Sequence, residues 1–150
     1  MAQIVSEVLN NPLLRAYFFY ASLLVLKMLF MSLWTGTKRM KTKTFSSPED
    51  IVRLPKAKVS TNENVERVRR AHLNDVENIP IFLVISLGYI LTNPSYAVTL
   101  LLFRAYTLAR YIHTFVYAIY VIPQPARAFS WGTGYAITIY MAVSTLSYFW

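Results

Sequence analysis

Apolar residues along this chain come in four long blocks separated by polar connections: Pro12–Trp34, about Leu73–Thr92, Ala97–Ile122 and Ala128–Trp150. The last block holds no charged side chain at all. Crossing a hydrocarbon core about 30 Å thick takes about 20 helical residues, and each block is long enough. The pattern predicts an all-α membrane protein, a four-transmembrane-helix bundle forming one domain over residues 1–150. Its helices fall at about 12–36, 63–92, 97–121 and 127–149, with a polar loop at about 37–62. Within that loop, Pro48 follows two serines and precedes Glu49 and Asp50, the signature of a short helical turn. The first apolar block resembles a secretory signal only superficially. No basic stretch precedes it and no small-residue cleavage site follows, so it is expected to remain as an anchor.

The second block breaks the simple pattern. From Ile79 to Thr92 only fourteen residues are uninterruptedly apolar, about 21 Å of helix at 1.5 Å per residue. To span, this helix has to draw in the turns before it, which carry Asn74, Asp75, Glu77 and Asn78. Each ionisable group at that depth costs about 2.5–3.5 kcal/mol and usually lines a site or cavity. At about 100° per residue, Arg67, Arg70, Asn74, Glu77 and Asn78 fall on one third of the helix circumference, and Leu73 and Val76 are expected to point elsewhere. On the third helix Tyr106, Arg110, His113 and Tyr117 share a face. Two polar stripes in one small bundle imply a polar pocket between helices or subunits. Pro80 is tolerated because neighbours re-satisfy the carbonyl it frees.

Charge gives the orientation. The 37–62 loop holds Lys38, Arg39, Lys41, Lys43, Arg53, Lys56 and Lys58 against Glu49 and Asp50, and the connection before the fourth helix ends in Arg127. The connection between the second and third helices has no charge. Lys and Arg near helix ends mark the cytoplasmic side, so the first and third connections are expected in the cytosol and both termini opposite. The net charge of +8 reflects this asymmetry and attraction to anionic headgroups. Without aromatic interleaving, the basic loop gives no reason to invoke nucleic acid.

The chemistry available is narrow. The chain has no cysteine, which excludes disulfides, thiolate metal sites and a protein thiol nucleophile. His72 and His113 lack supporting metal-ligand spacing, and no phosphate loop, GxGxxG or Ser-His-Asp order appears. Lys27, inside an apolar helix, reads as a structural ion-pair partner of Asp75 or Glu77. Arg67 and Arg69 read equally well as solvated at the helix entrance, and Arg104 as snorkelling to the far interface. A pocket with several arginines, an Asn, a Glu and two tyrosines suits a small anionic or zwitterionic ligand. Arginine forks bind carboxylates, and an apolar co-substrate can arrive from the bilayer.

The segments "VERVRRAHLNDVENI" (65–79), "ARYIHTFVY" (109–117), "PQPARAFSWGTGYAIT" (123–138) and "SPED" (47–50) resemble the MAPEG superfamily, membrane-associated proteins of eicosanoid and glutathione metabolism. The resemblance covers essentially the whole chain and is closest to the type-1 microsomal glutathione S-transferase branch. It implies a homotrimer in the endoplasmic reticulum or the outer mitochondrial membrane, with glutathione bound between subunits near the cytosolic face. Glutathione would be a co-substrate, with no tightly bound cofactor and no metal. The implied activity is conjugation of the glutathione thiolate to hydrophobic electrophiles, with peroxidase activity on lipid hydroperoxides. The alternatives are a prostaglandin E synthase-like isomerase or a non-catalytic lipid-binding scaffold. Carried over by motif position, the implied glutathione contacts are Arg39, Arg70, Asn74, Glu77, Arg110, His113, Tyr117 and Arg127. Arg127 would lie nearest the sulfur as the catalytic group, and Lys27 and Asp75 would be structural. A small channel fits less well, because the second helix turns apolar after Asn78.

Two departures refine the resemblance. Where the prostaglandin-synthase branch has an arginine and a serine, this chain has Leu73 and Ala128, which argues for conjugation and against a hydroxyl assisting the thiol. Where vertebrate members of the type-1 branch carry a stress-sensing cysteine after "PED", this chain has Ile51. The switch is expected to be missing.

Overall fold

The computed structural model describes residues 10–150. The non-basic stretch ahead of the first apolar block lies largely outside them. Helix α1 (Pro12–Thr42) starts where Asn11 accepts from the backbone N–H of Leu13 at 2.9 Å and Pro12 takes the first turn. It runs six residues beyond the expected end at 36. Arg39 and Lys41 in its last turn favour the negative end of the helix dipole. Lys43, left-handed at φ 54°, returns its N–H to Arg39 and closes the helix.

The polar connection is correspondingly shorter and more ordered than expected. Strands β1 (Thr44–Phe45) and β2 (Lys58–Val59) form a two-residue parallel ladder, pairing Thr44 with Lys58 and Phe45 with Val59. Between them Pro48–Ile51 forms one 3₁₀ turn, at the position expected from "SPED". Phe45 is buried beneath the loop.

Helix α2 (Glu63–Leu91) opens on Asn62, which accepts from the N–H of Asn64 at 3.0 Å, with Glu63 and Glu66 at the positive end of the dipole. Thr92 and the left-handed Asn93 end it. Helix α3 (Tyr96–Thr114) passes into a wider π-type turn over Phe115–Ile119, so the regular helix stops before the expected 121. Helix α4 (Ala126–Phe149) follows the "PQP" connection. By length and composition, α1 and α2 are each apolar enough to cross a membrane.

In the bundle α2 and α3 form the centre. Helix α1 packs on one side of them and α4 on the other, without touching each other. Ile79, Phe82, Phe103, Tyr106 and Met141 are fully buried at the crossing. The Phe82 and Tyr106 rings stack with centroids 3.5 Å apart, and the Tyr106 hydroxyl donates to the Asn78 carbonyl at 3.1 Å. Gly134 lets α4 approach: a β-carbon there would sit 3.3 Å from the Tyr106 ring. Where lipid surrounds a bundle, apolar burial gives little drive for helix association, so close approach at small residues and inter-helix hydrogen bonds take over.

A cluster of charged groups sits deep in this bundle. Asp75 is completely buried and meets two cations, Lys27 from α1 and Arg110 from α3, the latter at 2.6 Å. Lys27 also donates to the Thr114 hydroxyl at 2.7 Å. Helices α1, α2 and α3 are thereby tied through a single carboxylate.

Candidate functional site

The π-type turn and the "PQP" connection bring the ends of α3 and α4 against the first half of α2, leaving a cleft of about 470 Å³. Helix α2 contributes Arg70, Leu73, Asn74 and Glu77, α3 and its turn His113 and Tyr117, and the α4 start Arg127, Ala128 and Trp131. Six of the eight residues expected as glutathione contacts line this one space: Arg70, Asn74, Glu77, His113, Tyr117 and Arg127.

Tyr117 organises the mouth. Its hydroxyl accepts from Arg70 Nε at 3.1 Å, and the Arg127 guanidinium lies over its ring, 4.6 Å from the centroid. Arg70 is held from its other side by Glu63 at 2.6 Å. A ring face attracts a cation without neutralising it, so Arg127 keeps its charge for a ligand. Arg127 Nε and His113 Nδ1 are buried and make no hydrogen bond among the described residues.

Helix α4 adds a second positive element. Of the N–H groups that open a helix without an intrahelical acceptor, that of Ala128 is taken by Gln124 Oε1 at 3.2 Å, and the first helical hydrogen bond runs from Phe129 to the Pro125 carbonyl. Those of Ala126 and Arg127 have no such partner among the described residues. Two guanidiniums, Arg70 and Arg127, thus face one carboxylate, Glu77, around the cleft, with the positive end of a helix behind them. The arrangement suits a ligand carrying more than one anionic group and one ammonium.

Two expected contacts lie elsewhere. Arg110 is 1% exposed and sits behind the cleft wall, where its Nη2 donates to Asn74 Oδ1 at 2.8 Å as well as to Asp75. Arg39, near the end of α1, does not line the cleft, and its buried Nε makes no hydrogen bond among the described residues. The helical stripe also reads differently in three dimensions. Arg67 pairs with Glu63 outside the cleft, and Asn78 turns back to donate to the Asn74 carbonyl at 2.7 Å. Leu73, expected to point away, lines the cleft instead. It stands three residues after Arg70 and four before Glu77, so it shares their face.

Gln124 and Trp131 line the cleft without having been singled out from the sequence. Trp131 lies one helical turn beyond Arg127 and stacks on Tyr135 with centroids 4.8 Å apart, giving the polar cleft one aromatic wall. That i+4 spacing was the available signal. Nothing local marks Gln124, whose place depends on the path of the connection.

The chain matches the MAPEG family over residues 17–147. It belongs to that family. Among its MAPEG relatives, microsomal glutathione S-transferase 1 of Mus musculus is 41% identical over 145 residues, covering 93% of both chains. The Homo sapiens protein of the same name is 40% identical over 146 residues, 94% of each. Prostaglandin E synthase of Bos taurus is 36% identical over 112 residues, 74% of this chain and 73% of that one. Transferase-type relatives therefore match along nearly the full length, and synthase-type relatives over a shorter part. Membership of this family, together with two helices apolar enough to span, makes the chain an integral membrane protein.

Proposed function

We propose that this MAPEG protein is a membrane-bound glutathione S-transferase. It joins the thiolate of glutathione to hydrophobic electrophiles and reduces lipid hydroperoxides with the same thiol. The observation that carries the reading is the convergence of Arg70, Asn74, Glu77, His113, Tyr117 and Arg127 on one cleft, in a chain 41% identical to a microsomal glutathione S-transferase. Glutathione has two carboxylates for arginine forks and amide donors, an ammonium for Glu77, and a thiol.

A thiol with a pKa of about 8.5 is mostly protonated at neutral pH, and the thiolate is the reactive form. A guanidinium and a helix N-terminus beside the sulfur favour the anion, which makes Arg127 the activating group. The thiolate then attacks an electrophilic carbon, forming a carbon–sulfur bond as the leaving group departs with its electron pair. With a hydroperoxide it attacks the terminal oxygen, releasing an alcohol and a sulfenic acid. A second glutathione converts that acid to the disulfide and water. Holding both reactants at the membrane interface supplies proximity.

In this reading all four helices span, the cleft opens toward the cytosol and both termini lie on the far side, in the endoplasmic reticulum or outer mitochondrial membrane. Three copies assemble, with Arg39 meeting the ligand across a subunit boundary. The isomerase alternative is disfavoured by Ala128, which lines the cleft without a hydroxyl.

The test is an assay of purified protein with glutathione against chlorodinitrobenzene, a fatty-acid hydroperoxide and a prostaglandin endoperoxide. Conjugation and peroxide reduction are expected. Glutathione binding without any turnover would favour the scaffold reading, and turnover of the endoperoxide alone the isomerase. No glutathione binding at all would remove the proposal.

A further inference from the structure

Among the described residues Arg110 is the largest fully buried side chain, and it is not part of the cleft lining. Its Nε and Nη2 both donate to Asp75 Oδ1, at 3.2 and 2.6 Å, and Nη2 also donates to Asn74 Oδ1 at 2.8 Å. Arg110 has little freedom to leave this position. Asp75 is itself anchored from the other side by Lys27, and a β-carbon added at Gly134 on α4 would lie 3.7 Å from Arg110 Cδ.

The consequence falls on Asn74. A guanidinium only donates hydrogen bonds, so the Asn74 atom facing it has to be the amide oxygen. The Asn74 NH₂ group is then directed away from Arg110, on the residue that also lines the cleft. Among the described residues that NH₂ makes no hydrogen bond. The backbone beneath is held as well, since Asn78 donates to the Asn74 carbonyl at 2.7 Å. An unrestrained Asn presents donor or acceptor with equal ease. This one is fixed as a donor, the polarity a carboxylate needs.

We infer that Arg110 is a positioning residue that never touches the ligand and acts through Asn74, locking its carboxamide so that the cleft offers an N–H donor to a carboxylate of glutathione. The inference rests on the proposed glutathione site. It predicts that Arg110 matters for affinity only while Asn74 is present. A purely structural Arg110 would affect binding independently of Asn74.

The experiment measures equilibrium binding of glutathione to the full chain in detergent, with melting temperature recorded in parallel. The variants are Arg110→Lys, Asn74→Ala and the double variant. Lysine retains the charge opposite Asp75 but lacks the planar fork that reaches both partners. A hydrogen bond to a charged group lost from the site weakens binding by about 10-fold or more. Arg110→Lys and Asn74→Ala are each expected to show such a loss, and the double variant no more than Asn74→Ala alone. Losses that multiply in the double variant overturn the inference and leave the glutathione site intact. A parent protein that binds no glutathione overturns both.

Asn74→Asp provides the second measurement should Arg110→Lys fail to fold. Arg110 binds a carboxylate at least as well as an amide, so the fold is retained while the cleft receives an acceptor in place of a donor. Glutathione binding is expected to fall by more than in Asn74→Ala. Binding as tight as in the parent shows that no donor is needed at position 74 and overturns the inference.

Discussion

Removing Asp75 tests the interior of the bundle most sharply. The carboxylate is 0% exposed and serves two cations whose side chains are 3% and 1% exposed. Asp75→Leu leaves Lys27 and Arg110 facing each other without a counter-charge. Breaking a buried pair by deleting one partner costs about 3–5 kcal/mol, and a carboxylate shared by two cations belongs at the upper end. Lys27→Met is a milder change, because Arg110 continues to neutralise Asp75. What it strands is Asp75 Oδ2 and the Thr114 hydroxyl, at about 1–3 kcal/mol for unsatisfied groups, offset in part by no longer burying an ammonium. Replacing the whole set by Lys27→Met, Asp75→Leu and Arg110→Met exchanges buried charge for apolar contact and is expected to recover much of the stability lost in Asp75→Leu. The assay is the temperature at which half of the detergent-solubilised protein is lost from the size-exclusion peak. The expected order is wild type, Lys27→Met, triple variant, then Asp75→Leu. If Asp75→Leu melts with the wild type, or the triple variant melts below Asp75→Leu, the carboxylate is not the electrostatic centre of the bundle.

Three further outcomes follow from other contacts. Arg127→Ala should raise the pKa of bound glutathione by about 1–3 units, since an opposite charge is lost at close range, with Arg127→Lys restoring part of the effect. Ultraviolet thiolate absorbance across a pH series measures it, and unchanged absorbance and turnover in Arg127→Ala would assign activation to another group. Alkylation with N-ethylmaleimide, followed by removal of excess reagent, should leave activity unaltered, because the chain has no cysteine and Ile51 follows Asp50; activation by the reagent would refute this. Gly134→Leu should lower the melting temperature and weaken glutathione binding together, since even a β-carbon there stands 3.3 Å from the Tyr106 ring and 3.7 Å from Arg110 Cδ. A variant with native stability would mean that α4 does not need that close approach.

The four helices were legible because their cause is local. Apolar blocks long enough to span and the "PQP" segment before the last are written in consecutive residues. The polar turns at the start of α2 were legible for the same reason, since fourteen apolar residues fall short of a bilayer. Helix ends were less so. Helix α1 runs on to Thr42 because its basic last turn meets a favourable dipole, whereas α3 widens at Phe115 within an apolar stretch that looks helical throughout.

Partner choice within the site was decided only by the tertiary structure. Periodicity placed Arg70, Asn74, Glu77 and Asn78 on one side of α2 but could not say that Asn78 would turn back to its own helix, or that Leu73 would share the cleft. Arg110 and His113 likewise share one face of α3, three residues apart. His113 reaches the cleft, while Arg110 is bound to Asp75 behind Asn74. Spacing along a helix fixes a direction to within a third of a turn. Whether a side chain pointing that way meets a ligand or a buried carboxylate depends on which residue of another helix stands opposite, and that is settled by packing.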